Sequence, residues 1–431
     1  MRILLLSCYE LGHAPHGLAV PAAFLARAGY EPQVLDLAVQ PLDEAAVRAA
    51  DFVGISVPMH TALRLGAVAG ARVRELNPRA HLCFFGLYAP LNADYLSDVC
   101  GADSILGGEC EGLLVDLAGG RAPLTDIALV RLDVPVPRRL GLPMMDGYAR
   151  LARGEDERAA GYTEATRGCK HMCRHCPIPP VYGGRFFAID ADVVLADIAA
   201  QVATGVEHIT FGDPDFWCGP SHGMRIVREL HARWPKLSFD VTIKVEHLLQ
   251  QQRYLPELAD LGCAFVVSAV ESVDDAVLAK LDKRHTRADV ATMLTATRAA
   301  GLTVRPTFVP FTPWTSLDEL IALVDFIEAH DLVDCVDPVQ LTVRLLVPPG
   351  SLLLGDPAFG ALDPAALTHD WAHEDPRVDA LQRAVAAMAE DGADFQQLRA
   401  AYYAAADRTA PPLRVPVPRP PAPRLTEHWF C

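Results

Sequence analysis

Short apolar runs alternate with longer amphipathic stretches through the first 135 residues. Ile3–Ser7, Glu31–Leu37, Phe52–Val57, His81–Phe85 and Ser104–Leu106 read as buried strands, each too short and too apolar for a surface helix. Between them Leu18–Ala28, Asp43–Ala50 and His60–Leu76 place apolar residues at helical spacing, and Gly29 supplies a helix stop. Strands alternating with helices predict a Rossmann-like, doubly wound parallel sheet, which takes ligands at the carboxyl ends of its strands.

Residues 136–160 are polar, rich in Pro and Arg, and read as a linker. The alternation then resumes over 161–345. Strands are expected at His208–Phe211, Ser238–Ile243, Ala264–Ala269 and Thr303–Phe308. Helices are expected at Asp190–Thr204, His222–Trp234, Leu255–Leu261, Ala276–Leu281, Arg287–Ala300 and Ser316–His330. With one strand before Cys169 this makes five strands and six helices, read as six βα units. The remainder, 346–431, is expected to be mostly helical, with helices near Arg377–Glu390 and Phe395–Ala406. It ends in a proline-rich stretch, Pro411–Pro423, that favours an exposed polyproline II arm. The fold class is α/β.

One short run concentrates the chemistry: Thr166-Arg167-Gly168-Cys169-Lys170-His171-Met172-Cys173-Arg174-His175-Cys176. Its C-x3-C-x2-C spacing puts three thiols on one loop. Three thiolates can ligate three irons of a [4Fe–4S] cube and leave the fourth iron open. A structural zinc site is the alternative, but zinc loops usually bring a second ligand pair from further along. Cys218, Cys263 and Cys335 stand alone. A disulfide framework fits poorly, because three cysteines cannot pair among themselves.

The triplet, with His175 just before its last cysteine, resembles the radical S-adenosylmethionine (SAM) superfamily. The resemblance implies a partial (β/α)6 barrel, with Cys169, Cys173 and Cys176 on the cluster and SAM chelated by the open iron. An electron from the cluster then splits the sulfonium. The resemblance assigns SAM contacts to residues at the strand ends. Gly212, Asp213 and Asp215, in Phe211-Gly212-Asp213-Pro214-Asp215-Phe216, fall where relatives receive the methionine ammonium. Lys244 and Glu246, placed on one face of an extended segment, fall where relatives bind the ribose and the SAM carboxylate. Glu271 and Ser272 belong to a turn like G-I-E-S, with Ala269 in place of the usual glycine. The later Lys280–Thr286 stretch matches an L-x-K-x-x-T signature. Arg305 is a candidate partner for the SAM carboxylate, and His175 a candidate cofactor contact. The first 120 residues resemble the cobalamin-binding domain that precedes many radical SAM domains, through Gly17-Leu18-Ala19, Gly54-Ile55-Ser56, Phe85-Gly86-Leu87 and Gly107-Gly108-Glu109-Cys110-Glu111-Gly112. The D-x-H-x-x-G motif that gives cobalt a histidine is missing, and the expectation divides between a bound cobalamin and a domain that only packs.

The chain closes on His428-Trp429-Phe430-Cys431. This ending resembles the radical SAM subfamily with a CUAEP or CCAEP tail, in which Cys431 would be the first tail residue, followed by a UGA-coded selenocysteine. The likeness extends to arsinothricin biosynthesis. It implies transfer of the 3-amino-3-carboxypropyl group of SAM to trivalent arsenic, with Cys431 and Cys218 as soft thiol ligands. The alternatives are a cobalamin-dependent methyltransferase or rearrangement enzyme, and a non-enzymatic iron–sulfur or zinc scaffold.

Bulk properties narrow the partners. A formal net charge of −16 argues against nonspecific nucleic-acid binding. The apolar runs are too short for a membrane span, and the scattered cysteines suit a reducing cytoplasm. The expected partners are a small-molecule substrate and a flavodoxin- or ferredoxin-like electron donor.

Overall fold

A computed structural model describes residues 1–142, 147–414 and 419–426. The first sheet contains β1 (Ile3–Ser7), β2 (Gln33–Asp36), β3 (Phe52–Ser56), β4 (His81–Phe85), β5 (Ser104–Gly108) and β6 (Ile127–Ala128). Its order is β2-β1-β3-β4-β5-β6, and every pairing is parallel. The helices are α1 (His16–Arg27), α2 (Glu44–Ala49), α3 (His60–Leu76), α4 (Ala93–Asp98) and α5 (Glu111–Ala118). Side chains alternate faces along β1, so it feeds two cores. Leu4 and Leu6 pack with Val47, Leu63, Val73 and Leu96. Ile3 and Leu5 pack with Leu18, Ala22, Leu25 and Leu114. That is the doubly wound arrangement the apolar runs predict. Asp43 caps α2, accepting from the Ala45 and Ala46 amides.

The stretch expected to be a linker pairs instead. Its polar sequence hides an antiparallel hairpin, β7 (Arg150–Arg153) and β8 (Asp156–Thr163), in which Leu151 and Ala160 are buried. β8 is the first strand of the second sheet. A short hairpin follows from β9 (Thr166–Gly168) and β10 (Phe186–Ala188), and its loop contains the three cysteines and α6 (Ile178–Tyr182). The chain then runs α7 (Ala191–Val202), β11 (His208–Phe211), α8 (Pro220–Arg233), β12 (Ser238–Thr242), α9 (Val245–Gln250), α10 (Leu255–Asp260), β13 (Cys263–Glu271), α11 (Asp275–Lys280), α12 (Arg287–Ala299), β14 (Val304–Phe308) and α13 (Leu317–Ala329).

β8, β11, β12, β13 and β14 are parallel neighbours in a curled sheet, the core of a partial barrel. Among the described residues this parallel run has five strands rather than the expected six; an isolated parallel bridge joins Phe311 to Arg344. Capping boxes start α12 (Thr286 with Asp289) and α13 (Ser316 with Glu319). The threonine of the L-x-K-x-x-T signature is thus a helix cap. The C-terminal region adds a small ladder of β15 (Leu362–Asp363) and β16 (Thr368–His369), then α14 (Pro376–Glu390) and α15 (Phe395–Ala405).

The described parts of the proline-rich arm are mostly exposed but tethered. Arg399 donates to the Pro411 carbonyl at 2.8 Å, the Arg414 amide donates to Glu328, and Arg419 pairs with Asp334. β17 (Arg424–Leu425) then pairs antiparallel with β7 and becomes the edge of the seven-stranded sheet. Cys431 lies outside the described residues. Among the described residues no helix is long and apolar enough to cross a membrane.

Candidate functional site

The cysteine loop is held from below by strand β9. Both oxygens of Asp213 are engaged there: Oδ2 accepts from the Ala165 amide at 2.9 Å, and Oδ1 from the Thr166 hydroxyl at 2.6 Å. Burial pushes the Asp213 carboxyl up to about 7, against the pull of these two bonds. Asp213 was expected to meet the ammonium of SAM; its carboxylate instead fastens the loop. Gly212 has a packing reason of its own. A Cβ built on it would lie 1.7 Å from the Tyr162 hydroxyl, so no side chain fits there. We expect Gly212→Ala to cost about 1–3 kcal/mol, read as a lower thermal midpoint; an unchanged midpoint would show that Tyr162 moves freely.

Cys169 and Cys173 are buried, and Cys176 is partly so. Burial pushes the Cys176 thiol up to about 12, and the neighbouring Cys173 and Cys169 add to the rise. Two lysines stand against these sulfurs. Lys244 Nζ is 3.7 Å from Cys173 Sγ. Lys283, 2% exposed, is paired with Glu271 at 3.1 Å, and the charges of Cys173 and Cys176 add to its retention of the proton against burial. Three thiols on one loop, with ammonium groups to offset thiolate charge, suit an anionic metal cluster.

Glu271 and His175 form the other wall. Glu271 closes β13 with φ of +68°, a conformation disfavoured for a side-chain-bearing residue, where the ladder shifts register. Its carboxylate meets His175 Nε2 at 3.1 Å and Lys283 Nζ at 3.1 Å. Burial works to raise its pKa, but the Lys283 charge and His175 overcome this and hold the carboxyl well below its usual range. Ser272 turns its hydroxyl to the Asp274 amide at 3.1 Å. Glu271 and Ser272 are therefore spent on the protein itself.

The extended segment expected for Lys244 and Glu246 is the start of a helix: Lys244 is the N-cap residue of α9, and Glu246 lies in its first turn. They still meet, at 3.6 Å. Asp215 is buried against His171 and His247. Cys218 Sγ stands 3.7 Å from Cys169 Sγ. Arg305 does not face the cluster loop: it pairs with Asp337 at 2.6 Å and donates to the Pro423 carbonyl at 3.3 Å.

Several residues at this site escaped the sequence reading. Arg167 precedes Cys169 and is buried among Glu111 (2.6 Å), Glu164 (3.0 Å) and Glu109 (3.6 Å). Glu109 and Glu111 belong to the turn after β5, so this cluster clamps the first sheet to the cysteine loop. His171 lies inside the C-x3-C spacing and Lys283 inside the L-x-K-x-x-T signature; position within a recognised motif was the signal available for both.

Two cavities adjoin the loop. One, of about 280 Å³, lies between the strand ends of the first sheet and the loop, and includes Glu10, His16, Ser56, Gly86, Cys110 and Arg167. The other, of about 270 Å³, lies in the barrel and includes His13, Thr210, Asp240, Arg305, Asp337 and Leu425. Tyr162, Gly212 and Pro214 border both.

Glu10 at the first cavity is half-buried, and desolvation pushes its carboxyl up to about 8 although the Gly17 amide donates to it. The folded state then holds a proton that the unfolded chain releases near pH 4.5. This contribution is complete below that value and is lost as pH rises to about 8. We expect the thermal midpoint to fall from pH 5 to pH 8.5, and to fall less in Glu10→Gln, as a melting series would record.

Residues 163–327 match the family model described as the Radical SAM superfamily. This segment is similar to the radical SAM domain. The chain is 28% identical over 195 residues to the tRNA-2-methylthio-N(6)-dimethylallyladenosine synthase of Desulfosudis oleivorans, covering 43% of this chain and 41% of that protein. It is 24% identical over 235 residues to the threonylcarbamoyladenosine tRNA methylthiotransferase MtaB of Rickettsia prowazekii, covering 51% of each. The chain thus spans about half the length of these curated relatives or less. Among solved structures, the radical SAM methyltransferase TsrM from Kitasatospora setae superposes with a TM-score of 0.61 at 18% identity, covering 77% of this chain and 74% of that one. The cobalamin-dependent radical SAM enzyme OxsB superposes with a TM-score of 0.68 at 14% identity, covering 89% and 66%. At these identities the structural likeness concerns the fold. The match and the relatives make the radical SAM domain that of an enzyme, and the superfamily works with a [4Fe–4S] cluster and SAM. The three thiols, their burial and the facing lysines fit that cluster.

Proposed function

We propose that this chain is a radical SAM enzyme in which Cys169, Cys173 and Cys176 hold a [4Fe–4S] cluster and SAM is cleaved reductively to modify a small molecule. The observation that carries this reading is the convergence of three loop thiols against the Lys244 and Lys283 ammonium groups. When bound, such a cluster supplies one electron and an open iron for chelation. The protein's own contribution is positional. Asp213 fixes the loop through Thr166 and Ala165, Lys244 and Lys283 balance thiolate charge, and Glu271 anchors Lys283 and His175. The buried setting keeps water from the sulfurs. The two cavities meeting at Tyr162 and Gly212 are the candidate sites for SAM and substrate, and an external one-electron carrier of flavodoxin or ferredoxin type is the expected reductant.

Anaerobic reconstitution followed by SAM and dithionite tests this directly. 5′-Deoxyadenosine is expected; methylthioadenosine would indicate transfer of the aminocarboxypropyl group instead. No cleavage product at all would sink the proposal.

A second reading places cobalamin in the cavity between the two sheets. It is favoured by the cavity's place at the strand ends of a doubly wound sheet, and structures of TsrM and OxsB are described with cobalamin bound. At about 280 Å³ the cavity lies below the roughly 300–1,000 Å³ of drug-sized sites. A corrin therefore requires Arg167 and its glutamates to part. Corrin absorbance in protein purified from cobalamin-fed cells would support this reading, and its absence would remove it. The arsenic transfer rests on Cys431, together with Cys218, which is held against Cys169. Reading the codon after Cys431 tests it; anything but UGA followed by Ala-Glu-Pro codons removes the expectation.

A further inference from the structure

Beneath the cysteine loop lies a second group of metal-ligating side chains that the proposed chemistry does not use. His171 comes from the loop, Asp215 from the turn after β11, and His247 from α9. Asp215 is 1% exposed, His247 3% and His171 7%. Asp215 Oδ2 lies 2.7 Å from His247 Nδ1 and 3.5 Å from His171 Nε2. The two imidazoles approach at 3.3 Å through their Nε2 atoms. One ligand atom from each residue falls within 4.8 Å of the others.

These contacts are not satisfied as hydrogen bonds. Asp215 Oδ2 and His247 Nδ1 are both buried without a hydrogen-bond partner, although they are 2.7 Å apart. Glu246 Oε2 lies 3.7 Å from His171 Nδ1 and 3.6 Å from Lys244 Nζ, in neither case as a hydrogen bond. Buried polar atoms left without a partner are costly. Asp215 Oδ1 is already used by the Trp217 amide at 3.1 Å, so Oδ2 is the free ligand atom.

Cys218 adjoins this group. Its sulfur, a His171 ring nitrogen and Cys169 Sγ also lie within 4.8 Å of one another. In a tetrahedral zinc site with bonds of about 2.0–2.3 Å, ligand atoms stand roughly 3.3–3.8 Å apart. With His247 bound through Nε2, the 3.3 and 3.5 Å separations fall in that range; the 2.7 Å between Asp215 and His247 Nδ1 is shorter and is not a spacing of two ligands. Two histidines, one carboxylate and one thiolate are borderline ligands that suit Zn²⁺. Neither of the two cavities described above is lined by His171, Asp215 or His247. A single ion needs no such space, whereas the methionine part of SAM does.

We infer that His171, Asp215, His247 and Cys218 form a structural zinc site directly under the cluster loop. The ion draws Cys218 away from Cys169, leaving that sulfur for the iron cluster. It also ties the loop to β11 and α9. This inference does not depend on SAM cleavage, because its readout is metal content.

The test counts metals in the full-length protein, purified anaerobically, reconstituted and passed over a chelating resin. Mass spectrometry of the digest is expected to find about one zinc per chain beside about four irons. His247→Ala and Cys218→Ser are expected to lower zinc affinity by more than the roughly 10–100-fold that loss of an outer-shell partner costs. Cobalt substitution of the wild-type chain needs no variant. A thiolate-to-cobalt band in the near ultraviolet, with tetrahedral visible bands, is expected. Wild-type protein holding iron alone, with no cobalt band, would overturn the site. So would variants that keep zinc unchanged, or an Asp215→Asn chain that loses SAM affinity while keeping its metal.

Discussion

Cys176→Ala protein will purify without the brown colour of an iron–sulfur protein and, after reconstitution, will hold far fewer than the about four irons per chain of a complete cube. Two thiols, Cys169 and Cys173, remain on the loop, too few to retain the cluster with one iron left open. SAM cleavage should fall to background. Folding should survive, because Cys176 is only partly buried and the loop's other anchors persist: Asp213 on Thr166, Glu271 on Lys283, and Arg174 donating its amide to the Leu281 carbonyl. Iron and sulfide analysis beside circular dichroism separates these outcomes. A variant with full iron content would show that Cys176 is not a ligand.

Arg167→Ala is expected to be the most destabilising single change outside the core. It leaves Glu109, Glu111 and Glu164 together without their shared cation. Stranding one buried ionic partner costs about 3–5 kcal/mol. Burial already pushes Glu109 up to about 7 even with Arg167 present. Without the guanidinium the carboxyls rise further, and raised carboxyls favour the folded state only while protonated. The deficit relative to wild type should therefore be small near pH 5 and grow as pH passes 7. Thermal melts at the two pH values check this, and a pH-independent deficit would mean that lost packing, not charge, is responsible. Because Glu109 and Glu111 come from the first sheet, limited proteolysis should find the variant's 130–150 region cut sooner.

Much of the fold was legible because its strands are uninterrupted apolar runs bounded by Gly, Pro or charge. Ile3–Ser7, His81–Phe85 and His208–Phe211 are strands over those same bounds. The hairpin of β7 and β8 was not legible: half of β7 is charged, and it is a strand through its pairing with β8 and with residues 424–425. The site divides the same way. Three cysteines on one loop announce themselves. The contacts of the strand-end carboxylates within the protein were not legible, because a turn aspartate reads alike whether it meets a ligand or its own chain. Asp213 finds Thr166 47 residues away, and His171 finds His247 76 residues away. No local pattern encodes such partners.

The pairing of β17 with β7 has a consequence for how the protein is made. It joins positions 276 residues apart, as in the bond from the Arg150 amide to the Thr426 hydroxyl. During synthesis the flank of the barrel sheet stays uncovered until almost the whole described chain has emerged, and such an open flank invites pairing between nascent chains. The arm's prolines resist that mispairing, and its late arrival makes the last strand a seal laid over a sheet already built.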